Sequence, residues 1–399
     1  MNQNLSANIW KYYIFKTLHF SIGISIPTLV LFWQDRGLSM TQIMVLQTIF
    51  SLILLVLEIP SGYFADLFGR KISLILGGVC FFASFTIYCF SYHFYQFVIA
   101  ETVIAMGLSL TSGADSALLY DTLKELDRED EYQKIWGNAM FYATTISAGF
   151  NILGGFLAAW GLRVPIIATA IMLFFMIPTA LSFVEPPRSK IIVKKGYLRE
   201  LLSIVKLHAI SHKQIRSLLF FCAIVVCFYH SVLWLYQPYF KHTGVQLQYY
   251  GIIFALYNVF AGIVAKYSYR LERTLGMRLS LLMLMPILML SSLAMGIWAV
   301  SFSFLFTLGH QFVRGFSQVV FSDYLNRLVP SDIRATMISV QSMISRLVYA
   351  LFLTFIGMVT DKFGVQTSFY YIAISACIAG GVAIFAVWYS GLLQNKSHA

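Results

Sequence analysis

Apolar residues in this chain run in long blocks, and polar residues are confined to short breaks between them. The blocks fall near 10–33, 41–64, 72–91, 94–119, 136–159, 164–184, 217–240, 249–268, 279–300, 302–325, 336–359 and 366–390. A helix needs roughly 20 such residues to cross a hydrocarbon layer about 30 Å thick. Hydrocarbon offers no partner to a bare backbone N–H or C=O, so each block is predicted to be a helix. The short alternating strands of an outer-membrane barrel do not occur. The expected fold class is all-α: an integral membrane protein with twelve transmembrane helices. The first block is long enough to span and lacks a small-residue cleavage site, which predicts a retained helix.

Composition sharpens this picture. Hydrophobic residues make up 59% of the chain and charged residues 11%, against about a quarter charged in soluble domains. Of the 28 Lys and Arg, 22 fall in the segments that are cytoplasmic if the N-terminus is inside. Only Arg36, Arg163, Lys241 and Lys362 fall in the opposite loops, and Arg314 and Arg346 lie inside spans. That bias predicts a multi-pass protein of the cytoplasmic (inner) membrane with both termini cytoplasmic. The net charge of +11 is then a consequence of topology and argues against nucleic-acid binding. All five cysteines lie in apolar blocks without metal-ligand spacing, as small core hydrophobes do.

The longest polar stretch, Glu185 to Arg216, follows six spans and holds eight basic residues and Pro186-Pro187. It divides the chain into an N-terminal bundle (1–190), a linker (191–216) and a C-terminal bundle (217–399). Leu198, Leu201, Leu202, Val205 and Ile210 recur near helical spacing in the linker, which predicts an amphipathic helix on the inner leaflet. The segment Tyr267 to Arg278 echoes Gly62 to Lys71 about half a chain later, with Gly276 matching Gly69. Transporters built from two structural repeats show this kind of echo.

The most specific motif is GYFADLFGRK, Gly62 to Lys71. Gly62, Asp66, Gly69, Arg70 and Lys71 resemble the loop between helices two and three of the major facilitator superfamily, roughly G-x-[LF]-A-D-x-x-G-R-[KR]. Asn326 to Ser339, NRLVPSDIRATMIS, resembles that family's segment between helices ten and eleven. The resemblance implies two six-helix bundles working by alternating access. It further implies that Asp66, Arg70 and Asp121, at the inner end of helix four, form a latch on the cytoplasmic gate. Glycine at 62 is expected to permit close helix approach and at 69 a tight turn. Arg70 can fork onto a carboxylate.

Ionisable residues inside spans are expensive, about 2.5–3.5 kcal/mol each on insertion scales, and so mark candidate sites. In the family, helices one, four, seven and ten line the central cavity. Here helix four carries Glu101 and Asp115, whose spacing of about four turns predicts one shared face. Helix ten carries His310, Gln311, Arg314 and Gln318; helix eleven adds Arg346; helix seven places His230 and Trp234 together. Arg314 and Arg346 need anionic partners, from protein or solute. Glu101 or Asp115 is expected to carry a coupling proton, since desolvation raises a carboxylate's proton affinity. Glu58 also lies in a span with no obvious partner, and Asp323 ends helix ten.

The chain departs from the family's drug/proton antiporters. Val103 stands where they carry an arginine early in helix four, and Asn151 where they carry a proline in helix five. The reading is a secondary active transporter of a small organic solute, with an anionic group favoured and coupling to protons. The alternatives are a proton-driven exporter of cationic or amphipathic compounds, and a non-transporting receptor on the same fold. The expected partners are the small-molecule substrate, protons and the lipid bilayer, with no nucleic acid, and the working unit is a monomer. No enzyme triad, metal cluster or phosphate-binding glycine loop occurs in the sequence, so no catalysis, cofactor or metal is expected.

Overall fold

The structure is a computed structural model that describes residues 2–187, 212–330 and 333–393. The expected amphipathic linker helix falls on 191–211, outside the described residues. Among the described residues the chain is helical, with no strand. Twelve helical spans follow one another. The first six are Leu5–Asp35, Met40–Phe68, Arg70–Phe90, Phe94–Glu125, Glu129–Ala158 and Arg163–Ser182. The seventh is Lys213–Trp234, continued by Tyr236–His242. Tyr250–Leu282 holds the eighth span and, past a non-helical turn at Gly276, the start of the ninth, which continues through Leu284–Ile297. The last three are Ser303–Thr307 running into Leu308–Leu328, then Arg334–Phe363 and Val365–Tyr389.

Two glycines with positive φ explain the echo between the halves. Gly69 (φ 118°) separates the second and third spans, and Gly276 (φ 70°) turns the chain between the eighth and ninth. An L side chain is strained in that region, so glycine is the residue that permits each turn.

The chain forms two compact units. The first comprises Met1–Leu38, Ile49–Val193 and Gln246–Ala255; the second comprises Ser39–Thr48, Lys194–Val245 and Leu256–Ala399. In the second unit, Asp361 accepts the backbone N–H groups of Met40 and Thr41, each at 2.8 Å. Those are the first two residues of the second span. Its carboxylate therefore supplies partners for donors that a helix start leaves unpaired, and complements the positive end of the helix dipole. Thr48 donates to the Ala350 carbonyl at 3.0 Å from the same span.

Several spans are interrupted. The first passes from α-helix (Asn2–His19) through 3-10 turns at Phe20–Ile24 and Ile26–Thr28 before resuming at Leu29. The fourth breaks where Ser112 is extended and Gly113 takes φ 79°, and restarts at Ala114. This break corrects the expectation that Glu101 and Asp115 share one face, because the helical phase is lost between them.

In the first unit, Gly154 packs its backbone on the interrupted part of the first span, and a Cβ there would overlap the Ile24 carbonyl. Gly62, by contrast, faces open space, which corrects the expectation of a close helix approach at that position. Gly154→Val is expected to destabilise the protein by about 1–3 kcal/mol through overpacking. Gly62→Val should stay within about 0.5 kcal/mol of the parent. Thermal unfolding of both variants in detergent checks the contrast.

Candidate functional site

The motif after the second span organises one end of the first unit. The Arg70 guanidinium pairs with the Asp121 carboxylate and donates to the Ala117 carbonyl at 2.5 Å. Arginine can serve both acceptors because its donors are fixed in a planar fork. Asp66 is exposed on the last turn of the second span. Glu185, read in the sequence as the start of the longest polar stretch, has a structural place. Its two carboxylate oxygens accept the N–H groups of Arg70 (3.0 Å) and Lys71 (2.7 Å), capping the third span. Asn8 reinforces this end: its amide donates to Thr122 Oγ1 (3.1 Å) and to the Val184 carbonyl (2.8 Å), and accepts from Val184 N–H (2.9 Å). An acid just past a span end could have been read as a cap, but its distance in sequence from Arg70 hides the pairing.

Glu101 and Asp115 have separate surroundings. Glu101 is buried and accepts a hydrogen bond from the Tyr88 hydroxyl at 2.5 Å, across the third and fourth spans. Asp115 opens the helix that restarts after Gly113, where it complements the positive helix end. Its carboxylate pairs with Lys16 of the first span and accepts the Ser116 N–H at 2.6 Å. Lys16 corrects the charge map, which placed it in the cytoplasmic N-terminus; it lies within the first span, with its side chain only 15% exposed. Asp323 pairs with Arg327 one turn on at 2.6 Å. One carboxylate oxygen of Glu58 is buried without a hydrogen-bond partner.

The second unit gathers a polar and aromatic cluster. Arg314 is half-buried near the middle of the tenth span and donates to the Asn258 side-chain carbonyl at 2.8 Å. One turn away, Gln311 donates to the Tyr236 hydroxyl at 3.3 Å. His310 is buried, with Nε2 2.9 Å from the Ser292 hydroxyl, while its Nδ1 lacks a partner. Trp234 donates to the Tyr349 hydroxyl at 2.7 Å. His230 stacks on Tyr349 with ring centroids 4.8 Å apart, and lies within electrostatic reach of both Arg314 and Arg346. Arg346 is half-buried. Gln318 is exposed and makes no hydrogen bond to this cluster. Among the described residues no carboxylate pairs with Arg314 or Arg346. Asn258 and Tyr349 complete the cluster.

Among the described residues the chain is twelve helical spans without a strand, with charged and hydrogen-bonding side chains placed inside them, an architecture suited to a secondary membrane transporter. The description "Major Facilitator Superfamily" belongs to the family model that matches residues 17–351, and the chain belongs to that family. It is 22% identical over 387 residues to the uncharacterized MFS-type transporter YxaM of Bacillus subtilis (strain 168), covering 91% of this chain and 92% of that one. It is 29% identical over 196 residues to Multidrug resistance protein 2 of the same organism, covering 48% of this chain and 43% of that one. Among solved structures it resembles a mutant form of the nucleoside transporter NupG. The TM-score is 0.81 at 12% identity, over 95% of this chain and 99% of that chain, which speaks for the fold alone.

Glu185 gives this end of the first unit a testable dependence. Glu185→Ala leaves two helix-start donors unpaired, so stability should fall by about 0.5–2 kcal/mol, the usual size of a lost cap. Glu185→Gln, which keeps an acceptor but loses the charge, should lose less. Thermal unfolding of the two variants beside the parent measures both.

Proposed function

We propose that the chain moves a small organic anion across the cytoplasmic membrane by alternating access, coupled to protons. Both termini are then cytoplasmic, in line with the loop charge bias. One observation carries the reading: two arginines inside spans, Arg314 and Arg346, have no carboxylate partner among the described residues. Burying one charge without its counter-ion costs several kcal/mol, so the missing counter-ion is assigned to the solute. The neighbouring Tyr236, Gln311, Asn258 and His230 supply donors and acceptors that can orient a polar body behind the anionic group. Trp234 and Tyr349 supply an apolar wall. Arg70 and Asp121, with Asp66, form the gate latch.

Export of cationic or amphipathic compounds is the second reading, favoured by the half-chain similarity to Multidrug resistance protein 2. The acids that would hold a cation are already engaged, Glu101 by Tyr88 and Asp115 by Lys16. That weighs toward the anion.

Reconstituted protein under an imposed pH gradient should transport at least one of lactate, benzoate, a sulfonate or a hexose phosphate. A neutral hexose and a cationic dye should not move. Arg314→Ala should weaken the apparent affinity for that anion at least about tenfold, equivalent to about 1.4 kcal/mol. Gradient-driven flux of the dye alone, or anion flux indifferent to Arg314→Ala, sinks the reading.

A further inference from the structure

The eighth span ends in a concentration of uncompensated charge. Lys266, Arg270 and Arg273 are exposed on its last turns before Gly276. They stand four and three residues apart, so one helix face carries all three, and like charges at that spacing repel one another. Among the described residues none of them forms an ion pair. The acid within the same turns, Glu272, is turned to the Tyr324 hydroxyl of the tenth span, which donates to it at 3.0 Å. A bias of basic residues toward one side of a membrane asks for cations in this region, but it does not ask for them on one face.

Two exposed tyrosines stand among these cations. The Lys266 ammonium lies 5.6 Å from the centre of the Tyr267 ring, and the Arg270 guanidinium lies 5.4 Å from that ring and 5.6 Å from the ring of Tyr269. Arg270 Nε donates to the Tyr269 hydroxyl at 2.7 Å, which leaves its two terminal nitrogens for another acceptor. A guanidinium held in this way presents a planar fork that matches a phosphate. Tyrosine is also a residue of the membrane–water boundary, with its ring at headgroup level.

A second observation points to the occupant. Leu256, Val259, Ile263 and Tyr267 are exposed and recur at steps of three, four and four. They form an apolar stripe on the side of the helix away from the buried Phe254, Tyr257 and Ala261. The next step of three along the stripe is Arg270. An exposed apolar stripe on a membrane span meets acyl chains, so the group at its end meets headgroups. From Tyr250 to the turn at Gly276 the helix is about 39 Å long. That exceeds the roughly 30 Å of hydrocarbon and carries its last turns to the headgroup level.

We propose that Lys266, Arg270 and Arg273 form a binding site for the phosphate of an anionic phospholipid in the cytoplasmic leaflet. The acyl chains lie along the stripe from Leu256 to Tyr267, and Arg270 forks onto the phosphate. Lys266 and Arg273, one turn to either side, add positive charge that the ammonium of a zwitterionic headgroup opposes and a net negative headgroup satisfies. The lipid thus supplies the counter-charge that the chain itself withholds. The leaflet follows from the loop charge bias; the site depends on nothing about the solute or its coupling.

The test uses the full chain in mild detergent, with dioleoyl-phosphatidylglycerol or dioleoyl-phosphatidylcholine added at equal molar ratio. Phosphatidylglycerol should raise the unfolding temperature of the parent above its value with phosphatidylcholine, as a ligand of the folded state does. The difference should shrink with added salt. The double variant Lys266→Gln/Arg270→Gln should lose apparent affinity for phosphatidylglycerol, about fivefold for each cation removed. Lys134→Gln, which removes one exposed cation from the fifth span, should leave that affinity unchanged. Native mass spectrometry of the parent in an equimolar mixture of the two lipids should show phosphatidylglycerol retained in preference, a measurement that needs no variant to fold. Equal retention of the two lipids overturns the proposal, as does an equal loss of affinity in Lys134→Gln. A stabilisation reproduced by inorganic phosphate at the same concentration assigns the site to a free anion. Tighter binding of poly-glutamate than of phosphatidylglycerol assigns it to an acidic protein segment. Either of those outcomes also overturns the proposal.

Discussion

The constraint on which the rest of this structure depends is the cost of an unpartnered charge or backbone dipole in hydrocarbon. It dictates helices, and then dictates what happens where a helix starts, stops or breaks. Glu185 closes the start of the third span and Asp361 the start of the second, each with two carboxylate oxygens on two consecutive N–H groups. Both acids are distant in sequence from the ends they cap. The caps therefore tie remote segments together while satisfying donors that water would otherwise serve.

The same rule explains why charged side chains stand beside the breaks. An interrupted span exposes several backbone groups, which is tolerated where polar side chains or solvent answer them. The fourth span breaks at Gly113 and immediately offers Asp115; the first span breaks just after Lys16 and meets it. In the first unit each break is answered from within. Gly154 lets the fifth span approach the first closely enough to support the interrupted stretch.

Much of this architecture was legible in the sequence. Apolar runs are a one-dimensional signal, and hydrocarbon thickness converts them directly into spans, so the twelve crossings follow from counting. The pairing of Arg70 with Asp121 was legible because a short motif carries it, and Gly276 because it repeats Gly69. What escaped was anything that depended on phase or on distant pairing. Glu101 and Asp115 seemed to share a face because a continuous helix was assumed, and one glycine in the left-handed region removes that phase. Lys16 looked like a topogenic charge because it stands near the chain start, and only its partner on the fourth span shows it to be buried. Glu185 and Asn8 act across more than a hundred residues, and no local pattern announces them.

The two units differ in how they settle their charges, and this difference bears most directly on function. In the first unit, Lys16 meets Asp115 and Arg70 meets Asp121, each cation with its own carboxylate. In the second, Arg314 is met by the neutral Asn258 amide, and Arg346 has no ion pair among the described residues. An amide oxygen can orient a guanidinium without cancelling its charge. A carboxylate in place of Asn258 would have neutralised the arginine and removed its appetite for an anion. Placing an amide there keeps the arginine positioned without neutralising it, and in the anion reading proposed above the neutralising charge comes from the solute.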